Sequence, residues 1–271
     1  MSPERAPMFV TADTATKLPQ DAAGAVVVCG SHGGVYPGYL MAKGGVRAAI
    51  LCDAGIGLDD AGVGSLPYLQ ALGVAAAAVS SESCRIGDTA DMLARGRVSR
   101  VNGIAASLGV APGDGVREAA EKLAAAPLST APPPPIDEGR RLYDQAGARR
   151  IVLIDSAAMV RPEDAGRIVV TGSHGGLVGG EPRMALQVDA YAAVFNDAGI
   201  GMDAAGLARL SALDARDIAA FTVAAESCRI GDARSAFETG VISAVNRAAA
   251  AIGATVGAPA KGVLLEWAGR G

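Results

Sequence analysis

Histidine is nearly absent from this chain of 271 residues, which holds two, His32 and His174. Aromatic side chains make up only 4%, so the core must be packed by small aliphatic residues and not by stacked rings. No run of Lys and Arg occurs and the net charge is −4, which removes the electrostatic footprint expected of a partner of nucleic acid or of an anionic membrane. No uncharged apolar stretch reaches the roughly 18 to 20 residues that cross a bilayer. The opening MSPERAPMFVTAD lacks the apolar core and cleavage site of a secretory signal, so the cytoplasm is the expected location. Four cysteines, Cys29, Cys52, Cys84 and Cys228, are too few for a disulfide framework, and no paired CxxC offers a zinc knuckle.

What is present is repeated. GSHGG occurs around His32 and again around His174, DAGIG at Asp53 and at Asp197, and ESCRIGD at Glu82 to Asp88 and at Glu226 to Asp232. The offset is 142 residues for the first motif and 144 for the other two, as one two-residue insertion requires. The match extends from Asp13 opposite Asp155 to Pro112-x-x-Gly115 opposite Pro259-x-x-Gly262. Residues 8–126 and 150–271 therefore read as two copies of one module. Between them, 127–149 holds the proline-rich STAPPPPI, a stiff extended linker, and DEGRRLYDQAGA, which reads as a connector helix.

Each copy offers four apolar runs, such as Ala25 to Cys29, Val46 to Cys52 and Val74 to Ser80 in the first. The runs are continuous instead of alternating, the pattern of strands covered on both faces. Helix candidates such as Asp60 to Leu72 and Asp203 to Asp214 separate them. The expected fold class is α/β, two tandem parallel βα modules related by a pseudo-twofold axis, with each motif just past the carboxyl end of a strand. That edge is where ligands bind in open α/β sheets.

The motifs supply a catalytic cast. His32 and His174 are expected as general acids or bases, with Asp53 and Asp197 orienting them or capping helices. Cys84 and Cys228, or Ser83 and Ser227, are the candidate nucleophiles. Ser31, Gly33 and Gly34, and Ser173, Gly175 and Gly176, form loops whose amides would hold an anion. Arg85 and Arg229 would clamp a carboxylate, while Asp88 and Asp232 read as helix caps. After GSHGG the copies diverge, putting Tyr36 and Tyr39 in one against Glu181 and Arg183 in the other as specificity contacts.

No cofactor is expected. A metal held by one His, one Asp and one Cys per copy is the competing use of the same residues, although no closely spaced histidine pair exists. GSHGG resembles the histidine-glycine oxyanion loop of lipase-like esterases, but the G-x-S-x-G elbow is missing, as are G-x-G-x-x-G after the first strand and a Walker lysine. The expected function is an enzyme acting on a small, polar, carboxylated molecule, foremost a hydrolase of an amide, imide or ester. An isomerase or lyase drawing acid and base from both copies, or a non-catalytic binder of a small anion, are the alternatives. The sequence is compatible with a homo-oligomer.

Overall fold

The computed structural model describes residues 9–143 and 147–270, so Met8, Asp144 to Ala146 and Gly271 lie outside the described residues. The protein is a mixed α/β structure with two sheets in which parallel pairing dominates. The first sheet runs β1 (Phe9–Ala12), β2 (Val26–His32), β3 (Ala48–Cys52), β4 (Ala75–Val79), β5 (Val98–Val101), in that order. Helices α1 (Val35–Lys43), α2 (Ser65–Ala71), α3 (Thr89–Arg95), α4 (Gly103–Ser107) and α5 (Val116–Leu123) are interleaved with these strands. The second sheet comprises β6 (Arg140–Tyr143), β7 (Ile151–Ile154), β8 (Ile168–His174), β9 (Ala192–Asn196), β10 (Ala219–Val223) and β11 (Ile242–Val245), with helices α6 (Ala208–Asp214), α7 (Ala233–Thr239), α8 (Arg247–Ala251) and α9 (Ala260–Gly269).

The continuous apolar runs form the central strands. β3, β4, β9 and β10 are buried along their whole length, and each sheet separates two apolar clusters, one under either face. Alanine fills β4 (AAAAV), so helices approach the first sheet closely. Phe195, Phe221, Phe237 and Trp267 supply the bulk in the second half.

Three strands depart from the sequence reading. β5 and β11 pair antiparallel with β4 and β10, closing one edge of each sheet. The connector helix expected within 127–149 is instead β6 over its described part, antiparallel to β7. Side-chain pairing explains this. Arg140 donates to both oxygens of the fully buried Asp164 at 2.8 and 3.0 Å, and the Gly139 amide donates to Asp155 Oδ2 at 2.6 Å. These long-range bonds pin the segment in extended form against its local helical preference. No regular element spans residues 127–139.

The two histidines end β2 and β8. Both strands bulge after Val28 and Val170, and the ladder resumes where His32 faces Cys52 and His174 faces Asn196. Such irregularities re-aim side chains. The glycine that follows makes the turn possible: a Cβ on Gly33 would lie 2.6 Å from Gly62 O, and one on Gly175 would collide with Gly206 O.

Candidate functional site

The carboxyl ends of the two sheets face one another. Gly55 and Gly199 meet so closely that a Cβ on Gly55 would sit 2.7 Å from the Gly199 Cα. The Met202 amide donates to Ser81 O at 2.7 Å and the Gly179 amide to Gly87 O at 2.8 Å. Arg85 reaches Asp203 at 2.8 Å, and Arg229 reaches Asp59 at 2.5 Å, from the opposite side. Each histidine therefore abuts the other half: the His32 ring packs on Gly231 and the His174 ring on Gly87.

One cavity of about 100 Å³ lies at this junction. A water needs roughly 10–15 Å³ on that measure, so the space holds several waters or a small organic molecule. His32, His174, Ser31, Ser173, Tyr36, Glu138, Asp155 and Arg209 all line it. The imidazoles, 142 positions apart in sequence, thus share a single chamber assembled from both halves.

Both rings are buried, with 9% and 5% of their surface exposed. Burial pulls the His32 pKa down to about 4 and that of His174 well below its usual value, where Arg209 and His32 add like-charge repulsion. At neutral pH both are uncharged. The tautomer follows from the loops: the Gly34 amide donates to His32 Nδ1 and the Gly176 amide to His174 Nδ1, each at 3.2 Å. A nitrogen that accepts must be bare, so the hydrogen sits on Nε2. In this form each ring carries its N–H donor on Nε2, and its free lone pair, the one a general base would use, is taken by the loop amide. The glycine amides are likewise spoken for, since Gly33 N and Gly175 N donate to Cys52 O and Asn196 O at 2.6 and 2.7 Å. Gly33, Gly34, Gly175 and Gly176 orient the imidazoles and do not line the chamber.

Ser31 and Ser173 line the chamber. Their Oγ atoms accept from the Ala15 and Ala157 amides, both at 2.9 Å, which leaves each hydroxyl hydrogen to donate. The remaining sequence candidates serve the framework. Asp53 Oδ1 accepts from Ser81 N at 2.9 Å and Gly55 N at 3.1 Å, and Asp197 Oδ1 from Ala225 N at 3.0 Å and Gly199 N at 2.9 Å, so these carboxylates splint two loops and touch neither imidazole. Ser83 and Ser227 donate to Ser80 O and Ala224 O and accept from Arg97 N and Val241 N. Asp88 and Asp232 cap α3 and α7, as the sequence indicates. Arg85 and Arg229 are half-exposed and occupied by Asp203 and Asp59.

The thiols are the clearest correction. Cys84 and Cys228 are fully buried, their Sγ atoms 3.6 Å from Ser80 O and Ala224 O, and neither lines the chamber. Burial pushes the Cys228 and Cys29 thiols up to about 11, and Cys52, packed against Cys84, is raised well above its usual value. A buried thiol is a poor nucleophile. Native protein treated with iodoacetamide at pH 7.5 should take up no label by mass spectrometry, whereas urea-unfolded protein takes up four; fast labelling of Cys84 or Cys228 in native protein would restore them as reactive groups.

Among the described residues no three His, Cys, Asp or Glu side chains converge as metal ligands would, and no helix is long and apolar enough to cross a membrane. Glu138 and Arg209 are among the lining residues that the sequence reading did not single out. Glu138 arrives on the linker, its carboxyl raised by burial and by nearby Asp155, with Tyr36 and Ser156 close enough to lower it in part. Arg209 stands on α6 where the first half has Ser65; the equivalence is fixed by the backbone, since Ser65 N and Arg209 N donate to Gly33 O and Gly175 O at the same 2.8 Å. Only the contrast between the repeats marks it. Of the divergent residues, Tyr36 lines the chamber, whereas Glu181 and Arg183 pair with each other at the surface.

No family model, no curated protein and no solved structure matches the chain.

Proposed function

We propose that the protein is an enzyme that moves a proton next to a carbonyl group of a small polar molecule held in the composite chamber. The observation that carries this reading is the convergence of two neutral imidazoles, each with its Nδ1 occupied by a loop amide, on one small cavity. Two preorganised N–H donors on one small cavity suit an oxygen that gains negative charge, the work of an oxyanion hole or enolate pocket. The serine hydroxyls add further donors. Glu138 supplies the base: a partly buried carboxylate with a raised pKa holds a proton more readily than an exposed one.

Hydrolysis, the first expectation from sequence, is the second reading, with Glu138 activating a water instead of a C–H bond. The isomerase or lyase reading takes precedence because Cys84, Cys228, Ser83 and Ser227 stand outside the chamber. We also infer that the two halves descend from a duplicated βα module related by a pseudo-twofold axis near Gly55 and Gly199. The repeated motifs, the shared strand order and the reciprocal arginine bridges support that history.

Proton transfer is tested in deuterium oxide by following the C–H signals of small 2-oxo and 3-oxo acids by NMR. Wild-type protein should exchange protons next to the carbonyl of at least one of them, and His32→Asn with His174→Asn should slow that exchange by about 10²-fold or more while binding persists. Binding without exchange, together with release of an alcohol or amine from an ester or amide, would favour hydrolysis. Binding with neither would leave a carrier of small anions.

A further inference from the structure

Arg209 is 3% exposed and, among the described residues, pairs with no carboxylate. Its Nε donates to Gly176 O at 3.0 Å and its Nη1 to Met184 O at 3.0 Å and to Ala185 O. The guanidinium carbon lies 5.0 Å from the centroid of the Phe195 ring. Neutral carbonyls and a ring face hold the group in place without cancelling its charge, and burial alone draws its pKa down to about 10. Nη2 has no hydrogen-bond partner among the described residues, yet it is not one of their solvent-inaccessible polar atoms that lack a partner, and Arg209 lines the chamber. A buried cation without a counterion is costly to keep.

We infer that Arg209 is the receptor for a carboxylate on the chamber's ligand, in place of Arg85 and Arg229. This inference rests on the reading of the chamber as a ligand site and adds the ligand's charge and the residue that reads it. The carboxylate would accept from Nη2 beside His174, placing the adjoining carbonyl among the imidazole and serine donors. A monoanion fits better than a phosphate. The chamber's other charged groups, Glu138 and Asp155, are acidic, and Lys17 stands exposed at the rim, so a second negative charge would meet repulsion with no second buried cation.

The test is affinity by calorimetry or thermal shift, with pyruvate, its uncharged analogue pyruvamide, and inorganic phosphate as probes. Wild-type protein should bind pyruvate at least tenfold more tightly than pyruvamide or phosphate. Arg209→Gln should weaken pyruvate binding about tenfold to a hundredfold, the range for losing a hydrogen bond to a charged group, and leave pyruvamide unchanged, whereas Lys17→Gln should alter neither by more than about twofold. Equal binding of pyruvate and pyruvamide, preference for phosphate, no pyruvate binding, or full pyruvate affinity in Arg209→Gln would each overturn the inference. If Arg209→Gln fails to fold, the wild-type comparison of the three probes decides. Failure here is separable from failure of the proton-transfer reading: pyruvate bound through Arg209 with no C–H exchange sinks only the latter, and exchange that proceeds equally well on pyruvamide sinks only the former.

Discussion

Glu138→Gln should lower the rate of proton exchange by about 10²- to 10⁴-fold, the range for removing a general base, while changing ligand affinity little. Glutamine keeps the shape beside Tyr36 but cannot accept a proton. The expected loss is large because the chamber offers no substitute. Asp155, the other acidic side chain in the lining, accepts from Ala233 N at 3.0 Å through Oδ1 and from Gly139 N at 2.6 Å through Oδ2, so both its oxygens are committed to holding backbone. The histidines present donors and cannot take the proton on Nε2 without abandoning their loop amides. Glu138→Asp tests positioning: it keeps the charge on a shorter arm and should recover part of the rate. A glutamine variant exchanging at the wild-type rate would remove Glu138 from the mechanism.

Acid should destabilise the protein through its histidines. A group whose folded pKa is depressed binds its proton in the unfolded chain first, so stability is complete above the unfolded value near 6.5 and declines as pH falls toward the folded value. For His32, displaced to about 4, the decline over that window amounts to about 3 kcal/mol, and His174 adds a decline of the same sign. Glu138, Asp155 and Asp197, all raised by burial, act oppositely and regain stability as they protonate. The comparison that isolates the imidazoles is wild type against a His32→Asn, His174→Asn double variant, unfolded in urea at pH 7, 6 and 5. Wild type should lose stability relative to the variant by up to about 1.4 kcal/mol per pH unit per histidine. Parallel curves would show that the rings titrate normally.

The framework was largely readable in the sequence because burial on both faces leaves an unmistakable mark: β3 and β4 are apolar from end to end, and β2, β8, β9 and β10 each open on a run of buried apolar residues. β6 was not readable, since RRLY carries two arginines and its strand form depends on Asp155 and Asp164, partners found only after folding. The site was half readable, for an instructive reason. Identity between the repeats picked out His32 and His174, but it also picked out Asp53, Ser83, Cys84, Arg85 and their counterparts, which hold loops and join the halves. Those bonds recur in both halves. A group present in only one half leaves no such echo, and Arg209 opposite Ser65 and the unmatched Glu138 are of that kind.

The unequal furnishing of the chamber bears on how a ligand sits. Were the two halves identical there, a guest could enter in either of two orientations of equal energy and would occupy both. If the chamber binds as proposed, Arg209 beside His174 and Glu138 beside Tyr36 would lift that degeneracy, so a guest with one charged end would adopt a single pose and turn one face toward Glu138.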